Sequence, residues 1–525
     1  MYFTSANFLL FFLCTFVGYY TVFRRVQWQF LLMASLVFYA FSGWSNLIYI
    51  CVTICSTWFA GRQMTRLRIG QEQYLAGIPE LSKKGRNTYK AVIKAKLKKW
   101  LVLCLLFNLA ILAVVKYISF VISSINPLLS VINAQQITSI NILLPLGISF
   151  YTFQALSYII DVYRGLESES SLFKFGLFVS FFPQLIQGPI SRFDDLKETL
   201  YSQHKFDSEE FQAGLARVMW GFFKKLIVAD RLITAVMALS DPNGGYGGVY
   251  VILNAFFYAI TLYADFTGGI DITLGTARML GVAVKENFSR PFYSVSIADY
   301  WRQWHITMGT WFKDYLFYPI SASRPMLRLF KWSQKSFGGG FGKRISVYTS
   351  TMILWFVTGL WHGAEWHFIV WGLVNGIVII ISKELSPLYA RFHKRFRIGD
   401  TNGYKAFQIF RTFWLMSFIR IFDVYGSVRL TIKMYLSVIF NFDWTRFITN
   451  GPSDLGLDIA DYALIAIAVI VMVIAGFTHN NRHMEFTNVK PILRTVLIAS
   501  MVFAVIIFGI YGFGYDSRQF IYNQF

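Results

Sequence analysis

Charge is scarce in this chain. Of 525 residues only 15% are Asp, Glu, Lys or Arg, where a soluble globular protein carries about 25%, which excludes an ordinary cytosolic multidomain protein and a charge-rich disordered one. Cysteine is scarcer still: Cys14, Cys51, Cys55 and Cys104 all lie within apolar segments. They form no CxxC pair and have no interleaved histidines, which leaves no zinc site or disulfide framework and predicts small packing hydrophobes. Several catalytic signatures are missing too. There is no HExxH and no G-x-S-x-G elbow. The run Phe337 to Arg344 is not a phosphate loop, because Phe337 stands where the first glycine should be and Arg344 where Ser or Thr should meet magnesium. His362 and His367 are five apart, on different faces of a helix, which argues against a metal pair. No internal repeat, coiled coil or low-complexity tract is present. The first apolar segment lacks a basic leader and an A-x-A cleavage site, so it reads as a retained helix.

What the chain has in abundance is apolar surface: 55% hydrophobic residues, 18% aromatic, and a mean hydropathy of +0.48. These residues fall in blocks long enough to cross ~30 Å of hydrocarbon, so the bilayer sets the architecture. The 49 Lys and Arg against 28 Asp and Glu give a net +21. A basic balance can mark a nucleic-acid binder. Here the cations lie between apolar spans, where they hold loops on the cytoplasmic side, and no nucleic-acid partner is expected. The stretch from Arg62 to Lys99 carries eleven Lys or Arg against Glu72 and Glu80, which puts this loop inside and the N-terminus outside.

The segments up to Asn141 read as plain spans: one from Ala6 to Phe23, a hairpin from Trp28 to Ala60 broken near Ser42 to Ser45, and one from Trp100 that exits to an uncharged loop, Ser123 to Asn141. Beyond Ile142 they change character. Leu143 to Gly165 and Leu177 to Arg192 are broken by Pro145, Gly147, Pro183, Gly188 and Pro189, with Gln154, Gln184 and Gln187 at membrane depth. Such backbone is tolerated where protein covers it or a wet cavity adjoins it, which predicts kinked or re-entrant helices around an internal chamber. Further spans follow to Val496–Gly514. The fold class is therefore all-α, a polytopic bundle of about eleven to thirteen spanning or re-entrant helices. It forms one integral-membrane domain, in which residues 1–141, 142–382 and 383–525 are N-terminal spans, core and C-terminal spans. Charge in the last part reads in, out, in. That requires Phe407 to Tyr425, with Arg411, Arg420 and Asp423, to lie along the interface or turn back. It also leaves Tyr511 to Phe525 outside.

Of seven histidines, His204, His393, His479 and His483 sit in polar loops and are expected to be solvated. His305, His362 and His367 sit in or beside apolar runs, where a ring nitrogen must be bonded or used. His362 reads equally as a core histidine bonded to a carbonyl and as a general base; for His367 the core reading leads. Gly359 and Gly363 would let a backbone or a thin substrate approach His362, with Trp361, Trp366 and Trp371 as apolar walls. There a neutral imidazole could accept a hydroxyl proton. Asp265 and Asp271 interrupt another apolar run and could orient a histidine, pair with Arg278, or hold helices together as a buried ion pair.

Five blocks in order, LPLGISFYTFQALSYIIDVYRG, FFPQLIQGPISRF, YADFTGGIDITLGTARMLG, NFSRPFYSVSIADYWRQWHITMGTWFKDYLFYP and GLWHGAEWHFIVWG, span about Leu144 to Gly376. In them the chain resembles the membrane-bound O-acyltransferase family, on its alginate O-acetyltransferase branch. The resemblance implies a helical bundle around a central tunnel and transfer of an acyl group from a cytoplasmic thioester to an acceptor in or beyond the membrane. It places the family's catalytic histidine at His362 and its second motif histidine at His305, and implies that both are buried. Asp265, Asp271, Asp299, Arg302 and Asp314 match polar motif positions. Trp304, Trp361, Gly363 and Gln154 would join Asp265, Asp271 and Arg302 in lining the tunnel or orienting groups. The donor would be acetyl-CoA or another acyl thioester, with no tightly bound cofactor and no metal. The partners would be membrane lipid, a polysaccharide acceptor and a secreted SGNH-type transferase, and the location a bacterial cytoplasmic membrane.

The final FIYNQF also resembles the C-terminal motif of the one-span partner in teichoic acid D-alanylation, with Tyr522 where a tyrosine would carry the acyl group. As an aromatic tail it reads equally as an interfacial belt. The function expected is O-acetylation of a cell-surface polysaccharide; the alternatives are D-alanyl transfer to teichoic acid and a non-catalytic transporter of lipid-linked sugars, whose broken helices would look alike.

Overall fold

Hydrocarbon offers no partner to a backbone amide, so runs of Leu, Phe, Ile and Ala that enter it must bond within themselves, and they coil. The computed structural model describes the chain apart from residues 139, 141, 143, 400, 443, 452–454, 479–490, 512–514 and 516–525. Among the described residues the regular structure is all helical. In order the helices are α1 Ala6–Tyr20, α2 Gln27–Ala40, α3 Asn46–Gly77, α4 Lys83–Val131, α5 Ile148–Arg164, α6 Leu172–Ser180, α7 Phe182–Leu185 and α8 Phe193–Tyr201. There follow α9 Ser208–Phe222, α10 Asp230–Ser240, α11 Val249–Met279, α12 Ile297–Gln303, α13 Ile306–Phe312, α14 Tyr318–Ser321, α15 Arg324–Phe337 and α16 Gly342–His362. The last are α17 Trp366–Glu384, α18 Ser386–Phe396, α19 Asn402–Tyr425, α20 Val428–Phe440, α21 Trp444–Asn450, α22 Ile459–Thr478 and α23 Pro491–Phe508. The stretches within Lys83–Val131, Val249–Met279, Trp366–Glu384 and Ile459–Phe477 are long and apolar enough to cross a membrane. The chain is a polytopic helical membrane protein.

It divides into two compact units, Met1–Phe211 with Ala277–Lys285, and Gln212–Thr276 with Glu286–Phe525. In the first, α2 and α3 meet at the break foreseen near Ser42 to Ser45, and α5 lies against α3 and α4. The broken reading of 177–192 holds: α6 ends at Ser180, a four-residue α7 follows, and Ile186 to Ser191 are irregular yet buried. The basic stretch from Arg62 to Lys99 is not an open loop. α3 runs on to Gly77 and α4 starts at Lys83, with Ser82 as its cap accepting from Gly85 N at 3.1 Å. Lys and Arg are good helix formers, and the capped turn needs only Ile78 to Ser82. Cys14, Cys51 and Cys55 point outward, and only Cys104 packs inside, near the Thr57 hydroxyl. α1 and α3 are apolar around their circumference, so a cysteine there can face lipid as readily as protein.

The second unit is built on two close helix crossings. α9 lies against α11 with Gly221 facing Gly268 and Gly214 facing Gly275; a β-carbon on Gly221 would stand 2.6 Å from Gly268 O. Small residues let backbones approach this closely. α9 then widens into a π-helical turn, Phe223–Ala229, before α10. α16 and α17 cross the same way, a β-carbon on Gly372 falling 2.3 Å from Trp355 O and one on Gly359 2.4 Å from Phe368 O. The glycine beside His362 thus admits a backbone. The C-terminal half of α19 is buried against neighbouring helices. Arg420 pairs with Asp423 one turn on, at 3.1 Å, so its charge is neutralised within the helix.

Gly221→Ala should strain the α9 crossing by about 1–3 kcal/mol and lower the melting temperature of the detergent-solubilised protein by several degrees. Gly70→Ala, where a β-carbon meets nothing within 4 Å, should leave the melt unchanged or raise it slightly.

Candidate functional site

His305 and His362 are brought together in the second unit, each at a chain reversal. α12 ends at Gln303, and His305, the residue before α13, adopts φ 48°, ψ 55°. A branched side chain would oppose that left-handed turn. What holds it is Asn287, eighteen residues earlier. Its carbonyl oxygen accepts from Ile306 N at 2.9 Å, and its Oδ1 accepts from Thr307 N at 3.1 Å and Thr307 Oγ1 at 2.9 Å, with His305 Nδ1 at 3.1 Å. Because the Thr307 amide must donate, the Asn287 atom is the oxygen, so His305 Nδ1 carries a proton and Nε2 is left as the basic nitrogen. His305 is fully buried.

His362 is the last residue of α16, and Gly363 to Glu365 turn the chain into α17. It is 4% exposed. Its ring meets Trp361 and Trp371 edge to face, at centroid distances of 5.0 and 4.8 Å. Trp361 reaches the other way to His305, at 6.0 Å, and Phe266 closes on His305 at 5.0 Å. The burial foreseen for both histidines holds, and Trp361 is the wall they share.

Behind this aromatic layer lie buried charges in two groups. Lys225 stands between Asp265 and Asp230, 2.6 Å from each. Asp271 takes Lys224 at 2.5 Å and Arg217 at 2.9 Å, and Arg217 goes on to Glu286. Asp265 and Asp271 therefore serve as buried ion pairs between α11 and the π-helical turn. Arg278 is not their partner; it pairs with Glu210. Asp271 lies two helical turns before Arg278 on α11, and Arg217 is carried to it by the glycine crossing. Glu286 precedes Asn287, so the second group anchors the irregular segment that orients His305.

The remaining positions scatter. Trp304 is buried among Phe288, Phe292 and Tyr300. Gly363 packs under the ring of Phe368. Arg302 is 73% exposed and pairs with Asp299. Gln154 belongs to the first unit, where it faces Gln184, which bonds Ser191. His367 pairs with Glu365 at 3.2 Å. His204 and His393, expected in solvent, are half-buried and bonded to Thr199 O and Tyr404 Oη, both at 2.7 Å. Tyr522, His479 and His483 lie outside the described residues. Sequence reasoning passed over Asn287, Arg217, Lys224 and Lys225. The two lysines carried a readable signal, adjacent cations inside an apolar run; Asn287 carried none, because its contact spans eighteen residues.

Asp271→Asn would leave two buried cations short of a counter-charge and should cost about 3–5 kcal/mol. Arg278→Gln, which breaks a half-exposed pair, should cost at most about 1 kcal/mol. Denaturation of the two variants in one detergent makes the comparison.

The sequence model of MBOAT, the membrane-bound O-acyltransferase family, matches residues 93–331, a span that includes His305 and ends before His362. The chain is 33% identical to the probable alginate O-acetylase of Azotobacter vinelandii over 91% of its own length and 86% of that protein's. It is 28% identical to the peptidoglycan O-acetyltransferase of Helicobacter pylori over 69% of its length and 66% of the other. To the teichoic acid D-alanyltransferase of Streptococcus thermophilus it is 27% identical, over 45% of this chain and 56% of that one.

Proposed function

The chain belongs to the membrane-bound O-acyltransferase family, and from that premise we propose that it moves an acetyl group from a cytoplasmic thioester through the membrane for O-acetylation of a cell-surface polysaccharide. It is an integral-membrane O-acyltransferase. The acetyl group and the polysaccharide are favoured because the similarity to the alginate enzyme covers most of both chains, whereas that to the D-alanyltransferase covers about half.

The observation that carries the reading is the pair of buried imidazoles on either side of Trp361. In an apolar wall a neutral imidazole is the cheaper form, and a neutral imidazole has a lone pair for a hydroxyl proton. In the proposed step His362 takes that proton as the hydroxyl oxygen attacks the thioester carbonyl. The C–S bond then breaks and the thiolate leaves, taking a proton in turn. His305, whose Nε2 is left basic by its bond to Asn287, positions donor or acceptor. Acetyl-CoA is the donor proposed, entering from the cytoplasmic side of a bacterial membrane. The acceptor is Tyr522 or a separate SGNH-type transferase outside.

Membrane vesicles holding the protein should transfer label from acetyl-CoA. His362→Ala should lose about 10²- to 10⁴-fold of that rate while the amount of folded protein stays constant; an undiminished rate in that variant would remove the assignment, and transfer from a D-alanyl carrier thioester in place of acetyl-CoA would move the chain to the other donor. Tyr522→Phe keeps the ring and loses the hydroxyl. If Tyr522 carries the acyl group, labelled protein should disappear in this variant, and full activity would make Tyr522 an anchor.

A further inference from the structure

α19 brings a buried cation to the wall of the histidine site. The Cζ atom of Arg420 lies 5.4, 5.0 and 4.8 Å from the ring centroids of Trp301, Trp304 and Trp371. Arg420 is 5% exposed. Its Nη1 donates to Asp423 Oδ2 at 3.1 Å, and the Tyr300 hydroxyl is a further oxygen beside it. With so few oxygens around a buried guanidinium, the negative faces of the indoles supply the rest of its stabilisation. Two of the three rings adjoin the histidines. Trp371 meets the His362 ring edge to face at 4.8 Å, and Trp304 immediately precedes His305. Trp301 is tied in turn by its Nε1 to Asn375 Oδ1 at 3.1 Å.

Packing alone does not call for this arrangement. A buried ion pair is often no more stabilising than apolar side chains of the same volume, and its better attested use is to select one arrangement among several. A planar cation flanked by three indoles selects the orientation of each.

We propose that Arg420, held by Asp423, is a positioning residue of the acyl-transfer site: it fixes the ring of Trp371 and, through it, the His362 imidazole. The proposal rests on His362 being the base. Because Arg420 acts through Trp371, the two must be coupled, which a merely structural role would not require.

The test is a double-variant cycle in the full-length protein, with Arg420→Met, Trp371→Phe and the pair together. Rates are taken per folded molecule, and folding is monitored by gel filtration and melting. Arg420→Met should lower kcat about 10- to 100-fold with the donor KM within about twofold, the size expected for a small misplacement of a reacting group. The pair should be no slower than the slower single variant. Arg420→Lys, which keeps the charge and loses the plane, should recover part of the loss. Full kcat in Arg420→Met, or losses that multiply in the pair, would overturn the proposal. If Arg420→Met does not fold, Arg420→Met/Asp423→Leu removes both charges and is read in its place. Near-ultraviolet circular dichroism gives a readout independent of any donor. The band lost on Trp371→Phe should already be lost in Arg420→Met, and its survival there overturns the positioning role even if the wild type accepts no acetyl-CoA.

Discussion

A charge inside an apolar protein must have its counter-charge at hydrogen-bond distance, and in this chain that requirement decides where the helices of the second unit can lie. Lys224 and Lys225 sit side by side on a widened turn, and two carboxylates of α11 receive them, Asp271 and Asp265. The glycine pairs between α9 and α11 bring the backbones near enough for those short side chains to meet. Arg217 and Glu286 extend the pairing to the segment that ends on Asn287, and Asn287 sets the tautomer of His305. The polar chain thus reaches from the helix crossing to the imidazole without a break.

The two histidines have different supports. His305 is held by hydrogen bonds in a strained backbone turn, whereas His362 is held by aromatic edges at the end of an unstrained helix. A ring confined by indole edges keeps its place, which would suit the base proposed for it, neutral at one moment and cationic at the next. A ring tied through Nδ1 has a fixed orientation and one defined basic atom, which suits a group that aligns a substrate.

Much of this was legible beforehand, and the reasons are local. The break between α2 and α3 and the broken helices around Pro183 follow from punctuation, and the burial of His305 and His362 was implied by the family resemblance. Illegible features depend on long-range partners. The basic stretch after Arg62 carries the charge of a loop, but its residues favour helix and a single serine caps the return. The surroundings of Arg420 were not legible, since charge alone does not announce that Trp301, Trp304 and Trp371, from two other helices and a reversal, will enclose it. The partner of Asp271 was sought at Arg278, near in sequence, when close approach of two backbones had supplied Arg217 and Lys224 instead.

The widened turn Phe223–Ala229 has a consequence for how this helix can vary in length. A π-helical turn is an α-helix with a residue inserted, and the insertion exposes backbone; the carbonyl of Leu226 accepts from Ile510 N, beyond α23, at 3.0 Å. Removing one residue there would restore regular winding and leave the flanking helices near their present orientation, but it would take away one position of the widened turn that presents both lysines. Both lysines could not then keep their carboxylates while the glycines kept their crossing. Related chains should accordingly tolerate deletions in the α3–α4 turn far more readily than at this point, where a single lost codon would leave a buried lysine or carboxylate unpaired.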